Sequence, residues 1–388
     1  MSFQEVFELV KLPPAASDST GQRFMSTRAA YMPGADLPQL LPRPHKAAFG
    51  GHVYGQATLA ASRTLRELED RKGTKPSERL GFHASHPRPK FLAGAHPTDS
   101  TQSIHGYFTS IGHRDRPFIY DVKPVTTSRS FSTVSVTAYQ PSVPSTNSEG
   151  DHFPVADAAL TPGPVSFTAI CSFKSSEEHS DGASTQEDSV QKRFASILSS
   201  RRSQDWPPSP LVDVDAVVSI MGNHHVGTFP IVDMKKVDMA AFNEGKPAHD
   251  RVELILYRLL KPLPSDGTDG YDANAHIAVH GYTVDRNGLL MLGNHLGFGW
   301  KLGKVASLTY SIVVHVNADE MVMEYGEDEW WVQEATFPRA GAGRGVIMSK
   351  IWSPGGVHVA TEYQDGLVRS FGDEPQQMGE KKATRGKL

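Results

Sequence analysis

Asp285 is the side chain in this sequence whose surroundings most need explaining. It falls in a stretch with Val279, Tyr282, Thr283, Leu289 and Leu290, and a carboxylate among such neighbours is costly unless it is partnered or does chemistry. A buried carboxylate can take a proton as a general base. The competing reading is a helix-surface aspartate that pairs with Arg286 or is simply solvated. Other reactive groups carry less. His83-Ala-Ser-His86 and His224-His225 lack a third and fourth ligand at metal spacing, so they read as solvated loop histidines and no metal site is expected. Gly341-Ala-Gly-Arg-Gly345 sits between two strands and opens no helix, so it reads as a hairpin turn rather than a dinucleotide loop, and no cofactor is expected. There is no Gly-x-Ser-x-Gly elbow, which argues against a serine nucleophile.

These residues must be held by a few elements. The organising one is Phe49-Gly-Gly-His-Val-Tyr-Gly-Gln-Ala, a Gly-Gly turn running into a helix whose Val53, Ala57, Ala60, Ala61, Thr64, Leu65 and Leu68 recur at steps of three and four. That face is mostly small, so a curved sheet can lie close against it. Four segments then read as antiparallel strands: Ser103 to Phe108, Pro117 to Val125, Ser130 to Tyr139 and Val165 to Phe173. The stretches 84–101 and 141–164 read as loops. A second block repeats the pattern. Phe229 to Met234 and Val252 to Tyr257 read as strands, His276 to Leu292 as a helix, and Leu308 to Val316, Glu329 to Thr336, Arg344 to Trp352 and Val357 to Tyr363 as strands. One helix and a run of strands, twice over, argues for duplication.

The domain reading follows: an irregular lead-in over 1–45 with a strand around Phe3 to Leu12, a first unit over 46–173, a linker over 174–210, a second unit over 211–371 that carries the chemistry, and a tail over 372–388. The linker is rich in Ser, Glu, Asp and Gln, and is expected not to bury enough apolar surface to order itself. With 39 basic and 43 acidic side chains and a formal charge of −4, nucleic acid is not an expected partner. Cys171 is the single cysteine, which excludes an intrachain disulfide and suits a reducing compartment. The first ten residues carry two acids and no basic region, and no window approaches the roughly 18 apolar residues that span a bilayer, so a soluble intracellular protein is expected. The chain closes Gly386-Lys-Leu388, which resembles the Ser-Lys-Leu peroxisomal address with glycine in place of serine. Exposed sheet edges make a homo-oligomer an expectation.

The order Phe49-Gly-Gly-His-Val-Tyr-Gly-Gln-Ala, His105-Gly-Tyr-Phe, Ile119-Tyr-Asp-Val with Arg129-Ser-Phe, and Tyr363-Gln-Asp-Gly366 resembles the acyl-CoA thioesterase II family over roughly residues 45–370. The resemblance implies an α+β double hot dog, two helices each wrapped by antiparallel sheet in one chain. It also implies hydrolysis of acyl-CoA to free acid and CoA by an activated water, without a covalent intermediate. The family's aspartate, hydroxyl residue and glutamine fall on Asp285, Ser307 and Gln364. A carboxylate can take the proton, a hydroxyl and an amide can hold the water, and a backbone N–H at a helix start can meet the developing oxyanion. Without the resemblance, Ser307 reads as a strand-edge hydroxyl and Gln364 as a turn residue. Arg129, Lys301, Lys304 and Arg344 flank this site and are candidates for the phosphates of CoA, against an ordinary reading as solvated charge.

The sequence also departs from the family. Thr309-Tyr310 stand where an Asp-His pair is usual, and Val313 and Val314 replace aromatic residues. A gap in the match would move the hydroxyl role to Thr309 or Ser311. The valines imply a differently shaped acyl tunnel, so two further readings stand beside simple hydrolysis: action on a modified acyl-CoA by hydrolysis or dehydration, and silent acyl-CoA binding. Asp272-Ala-Asn-Ala-His276 resembles the Asp/His motif of hot-dog hydratases but is one residue short. It reads instead as an Asp or Asn helix cap.

Overall fold

The computed structural model describes residues 2–14, 21–31, 47–71, 100–128, 131–148, 152–174, 185–209, 229–264, 272, 274–286 and 288–370. The histidines at 83, 86, 224 and 225, Arg129 and the C-terminal tripeptide lie outside them.

Among the described residues twelve strands form one sheet: β1 (Leu9–Leu12), β2 (Gln22–Ser26), β3 (Ser100–Phe108), β4 (Ile119–Thr127), β5 (Phe131–Pro141), β6 (Pro162–Lys174), β7 (Val232–Lys236), β8 (Val252–Leu259), β9 (Leu302–Val314), β10 (Trp331–Gly341), β11 (Arg344–Trp352) and β12 (His358–Ser370). Their order is β1-β2-β4-β5-β6-β3-β9-β12-β11-β10-β8-β7. Counted outward from the β3–β9 seam, the first half runs 3, 6, 5, 4, 2, 1 and the second half repeats the sequence six strands later. That identity of topology is the duplication, and the seam joins the halves by antiparallel pairing from Ser103↔Val313 to Tyr107↔Thr309.

The helices are α1 (Phe3–Phe7), α2 (Gly50–Arg71), α3 (Val190–Arg193), α4 (Ala195–Leu198), α5 (Ala240–Asn243), α6 (Ala275–Val284) and α7 (Gly288–His295). The long helix α2 does lie against sheet, but its opposite side is not solvated. Tyr54 and Leu59 are as buried as Ala57 and Ala61, because α6 packs along it. Gly281 of α6 permits this approach: a Cβ there would stand 3.0 Å from the Tyr54 ring. Two helices side by side inside one sheet make the double hot dog.

Three expectations are corrected. Phe3 to Phe7 is helical rather than extended, because Ser2 and Glu5 form a reciprocal capping box and Phe3, Val6 and Phe7 fall at helical spacing on the core. The helix expected from His276 to Leu292 breaks after Val284 and resumes at Gly288, across a run in which Asp285, Asn287 and Gly288 have weak helix propensity. The linker's described part, 185–209, is packed rather than loose. It sets Val190, Phe194 and Trp206 against Trp330 and Trp352 on the outer face of the sheet, so three large apolar side chains outweigh a polar average. The hairpin turn at Gly341 to Arg344 is as expected, with Ala342 at φ 52° and Gly343 at φ 72°.

The packed segment 185–209 is held to the sheet by the Lys350–Glu187 ion pair and by a more buried one between Arg193 and Glu334. Arg193 Nη1 and Nη2 donate to Glu334 Oε1 and Oε2 at 2.8 and 2.5 Å, and Trp352 Nε1 donates to the same carboxylate at 2.9 Å. Glu334 is buried, so Arg193→Ala leaves a buried carboxylate half-partnered. The expected loss is about 2–3 kcal/mol, read as a lower denaturant midpoint at unchanged slope.

Candidate active site

The break between α6 and α7 is where the site forms. Asp285 ends α6 as its C-cap and turns toward the N-terminus of α2, where Gly51 N–H donates to Oδ2 at 2.6 Å. The first N–H groups of any helix lack intrahelical acceptors and carry its positive end, so a carboxylate is well placed there. The paired glycines make room. A Cβ on Gly50 would stand 3.1 Å from Asp285 Oδ2, and one on Gly51 would meet the Phe49 ring at 2.9 Å and Tyr282 O at 3.0 Å.

From the other side Gln364 Nε2 donates to Asp285 Oδ1 at 2.5 Å and to Ser307 Oγ at 2.8 Å. A carboxylate only accepts, so the amide's NH2 must face it and its orientation is fixed. Ser307 reaches this point through an irregularity. β12 pairs Gln364 with Tyr310, Asp365 with Thr309, and then Gly366 with Ser307, which leaves Leu308 as the extra residue of a bulge on β9. Strict alternation would put Ser307 on the face of Thr309 and Ser311. The bulge returns it to the inner face, while Thr309 and Ser311 point away beside exposed Val313. Gly366 must lack a side chain here, since a Cβ would lie 2.4 Å from Leu289 Cδ1 and 2.7 Å from Ala306 O.

The structure therefore brings Asp285, Ser307 and Gln364 within one hydrogen-bonded cluster. Burial pushes the Asp285 carboxyl up to about 6, held back by the bonds from Gly51 and Gln364. Such a group is ionised at neutral pH yet able to hold a proton, as a general base requires. Phe108, at the end of β3, packs over Gly50, so both halves of the chain build the site. The sequence reading missed Gly51 as the aspartate's donor. Its signal was a glycine pair opening a helix with no side chain to cap it.

Other candidates are settled differently. Asp272 does not cap α6; Asn274 is its N-cap, without a side-chain cap bond. Asp272 Oδ1 instead accepts from Ser62 Oγ at 2.8 Å and Asn274 N at 2.9 Å, while His276 Nδ1 accepts from Met323 N at 3.1 Å. Arg344 pairs with Asp365 through Nε at 3.3 Å, and Lys301 and Lys304 are exposed. Val313 lies on the outer face and so does not shape the interior; of the two valines only Val314 is buried. Among the described residues no His, Cys, Asp and Glu group could hold a metal. A cleft of about 690 Å³ lies elsewhere, between 201–208 and 236–245, and contains none of the three residues.

Comparison with known proteins adds the following. Residues 38–161 match the acyl-CoA thioesterase N-terminal domain and residues 244–368 the C-terminal domain. The rat (Rattus norvegicus) acyl-coenzyme A thioesterase 8 is 23% identical over 333 residues, covering 83% of this chain and 80% of its own. The crystal structure of an acyl-CoA thioesterase II from Mycobacterium marinum superposes with a TM-score of 0.55 at 21% identity, over 96% of this chain and 99% of that one. A conserved hot-dog protein of unknown function from Alicyclobacillus acidocaldarius gives 0.52 at 14%, over 95% and 97%. At these identities the structural likenesses carry the fold alone.

Proposed function

The chain belongs to the acyl-CoA thioesterase family and is a thioester hydrolase, and from that premise we propose that Asp285, Ser307 and Gln364 perform the hydrolysis. The observation that carries this is the single Gln364 amide nitrogen shared by the Asp285 carboxylate and the Ser307 hydroxyl. One water placed against that pair faces a base and a positioning hydroxyl at once. Asp285 takes a proton as the water oxygen attacks the thioester carbon. The tetrahedral intermediate then collapses, the carbon–sulfur bond breaks, and the proton passes from Asp285 to the departing sulfur, giving free acid and CoA thiol with Asp285 ionised again.

The carbonyl oxygen needs donors while it is negative. The chain re-enters a helix at Gly288, three residues after Asp285, and the first N–H groups of α7 have no intrahelical acceptors. Gly288 also abuts Gln364, since a Cβ there would lie 2.4 Å from its Oε1. These facts support α7 as the oxyanion donor. Exposed Lys301 and Lys304 remain proposals for the CoA phosphates, and Gly386-Lys-Leu388 for a peroxisomal address, tested by whether a reporter bearing this tail is imported.

The test of the reaction is release of free thiol from a panel of acyl-CoAs as a function of pH. Because Asp285 must be ionised and its carboxyl sits at about 6, kcat/KM is expected to be level above about pH 7 and to fall tenfold per unit well below pH 6. A profile flat down to pH 4.5, near an ordinary carboxylate, would remove Asp285 as the base.

A further inference from the structure

Glu362 stands two residues before Gln364 on the same inner face of β12 and is 1% exposed. Its carboxyl oxygens make no hydrogen bond of ordinary length and angle among the described residues, although the Ser349 hydroxyl lies close enough to favour the charged form. Its register neighbours are Ser349 on β11 and Ile312 on β9. Ser349 Oγ accepts from Gln333 Nε2 at 3.0 Å, and the same nitrogen donates to Val284 O at 3.0 Å, next to Asp285 in the chain. Gln333 Oε1 is without a partner among the described residues as well. Three poorly satisfied oxygen atoms thus gather on either side of Ser349, two residues along the strand from the catalytic amide. A purely apolar acyl chain would leave all of them unsatisfied, and buried polar groups are seldom kept in that condition without a use.

The state of the carboxyl narrows the ligand. Burial pushes Glu362 well above the ordinary carboxylate range; the Ser349 hydroxyl pulls it back in part, and the neighbouring Asp285 charge adds a smaller push. The other titratable groups facing it, Tyr54 on α2 and Tyr310 on β9, are themselves raised by burial and stay neutral. A protonated carboxyl offers one donor and one acceptor. Its natural complement is a neutral group that also does both, which is a hydroxyl.

We propose that Glu362, together with the side-chain amide oxygen Oε1 of Gln333, recognises a hydroxyl on the acyl chain, so that the preferred substrate is a hydroxyacyl-CoA rather than a plain fatty acyl-CoA. This rests on the thioesterase reading of Asp285, Ser307 and Gln364. Two residues along a strand span roughly 7 Å, which sets the hydroxyl several carbons beyond the thioester carbonyl. A site built to bond a hydroxyl discriminates against the analogue lacking it, because its own polar groups are then stranded.

The experiment compares decanoyl-CoA with decanoyl-CoAs bearing one hydroxyl at successive carbons, on the intact protein, Glu362→Leu and Glu362→Gln. For the intact protein at least one hydroxylated thioester is expected to exceed decanoyl-CoA in kcat/KM by about tenfold to a hundredfold. Glu362→Leu should erase or reverse that preference while raising Tm, since it removes a stranded polar group; Glu362→Gln should keep part of it. If the intact protein cleaves decanoyl-CoA as well as every hydroxylated form, or if Glu362→Leu lowers all substrates equally and lowers Tm, Glu362 is structural and the proposal is overturned while the thioesterase reading stands. If no thioester is cleaved, that reading fails and the proposal with it.

Discussion

Asp285→Asn is expected to lower kcat for acyl-CoA hydrolysis by a factor of about 10²–10⁴, the range for loss of a positioned general base. Asparagine is nearly isosteric but cannot accept the water's proton. Its amide oxygen can still accept from Gly51 N–H or from Gln364 Nε2, though not from both at once. Stability should not fall steeply, for a reason that follows from the carboxyl at about 6. A carboxyl raised on folding binds more protons in the native than in the unfolded state between about pH 4 and 6. Its burial therefore costs nothing below that window and its full penalty above it. The neutral amide escapes the penalty while losing one hydrogen bond. Thiol release at pH 7.5, with thermal melts in parallel, reads both quantities. Full activity in the variant would reassign the base, and a collapsed melt would make the rate uninterpretable and call for Asp285→Ser in its place.

Gln364→Glu should be nearly as damaging at neutral pH, for a different reason. The substitution keeps the shape but sets a carboxyl oxygen where Nε2 now lies 2.5 Å from Asp285 Oδ1. Two carboxylates at that distance cannot both ionise, so the pair must share a proton and its upper apparent pKa rises well beyond 6. With that proton in place Asp285 is no longer a free base, and kcat/KM at pH 7 is expected to drop about a hundredfold. The loss should shrink as pH rises past the upper value. Gln364→Ala separates the explanations, because deleting the amide lowers the rate without introducing charge; losing a bond that holds the Asp285 carboxyl down moves the acid limb up only modestly, far less than a second carboxylate does. If Gln364→Glu lowered the rate with no displacement of that limb, the amide would not be touching the base.

The opening of α2 and the linker show how far the sequence could be read. The small-residue stripe from Val53 to Leu65 predicted a helix against a sheet, and the helix is there. Its second partner, α6, left no trace in a pattern that only reports which positions avoid water. The motif at Phe49 to Ala57 pointed to the family, yet the reason for its glycines lay 234 residues away, in the Asp285 carboxylate that Gly51 N–H receives. The linker misled for a related reason. Its average composition is polar, but Val190, Phe194 and Trp206 need only one apolar patch to bury, and the outer face of β8, β10 and β11 supplies it.

Element types, the doubling of the unit and the residues worth attention are legible in the chain, because hydrophobic period and residue chemistry are local properties. Which hydroxyl stands with the base is settled by strand pairing. Alternation along β9 gives Ser307, Thr309 and Ser311 the same parity, and a single bulged residue at Leu308 turns Ser307 inward and leaves the other two facing out. Likewise Glu362 reads in the sequence as one more charged residue of a strand. Its burial beside Gln364, with its oxygens poorly satisfied among the described residues, arises from pairing with β9 and β11, and pairing across a sheet is set by contacts distant in the chain.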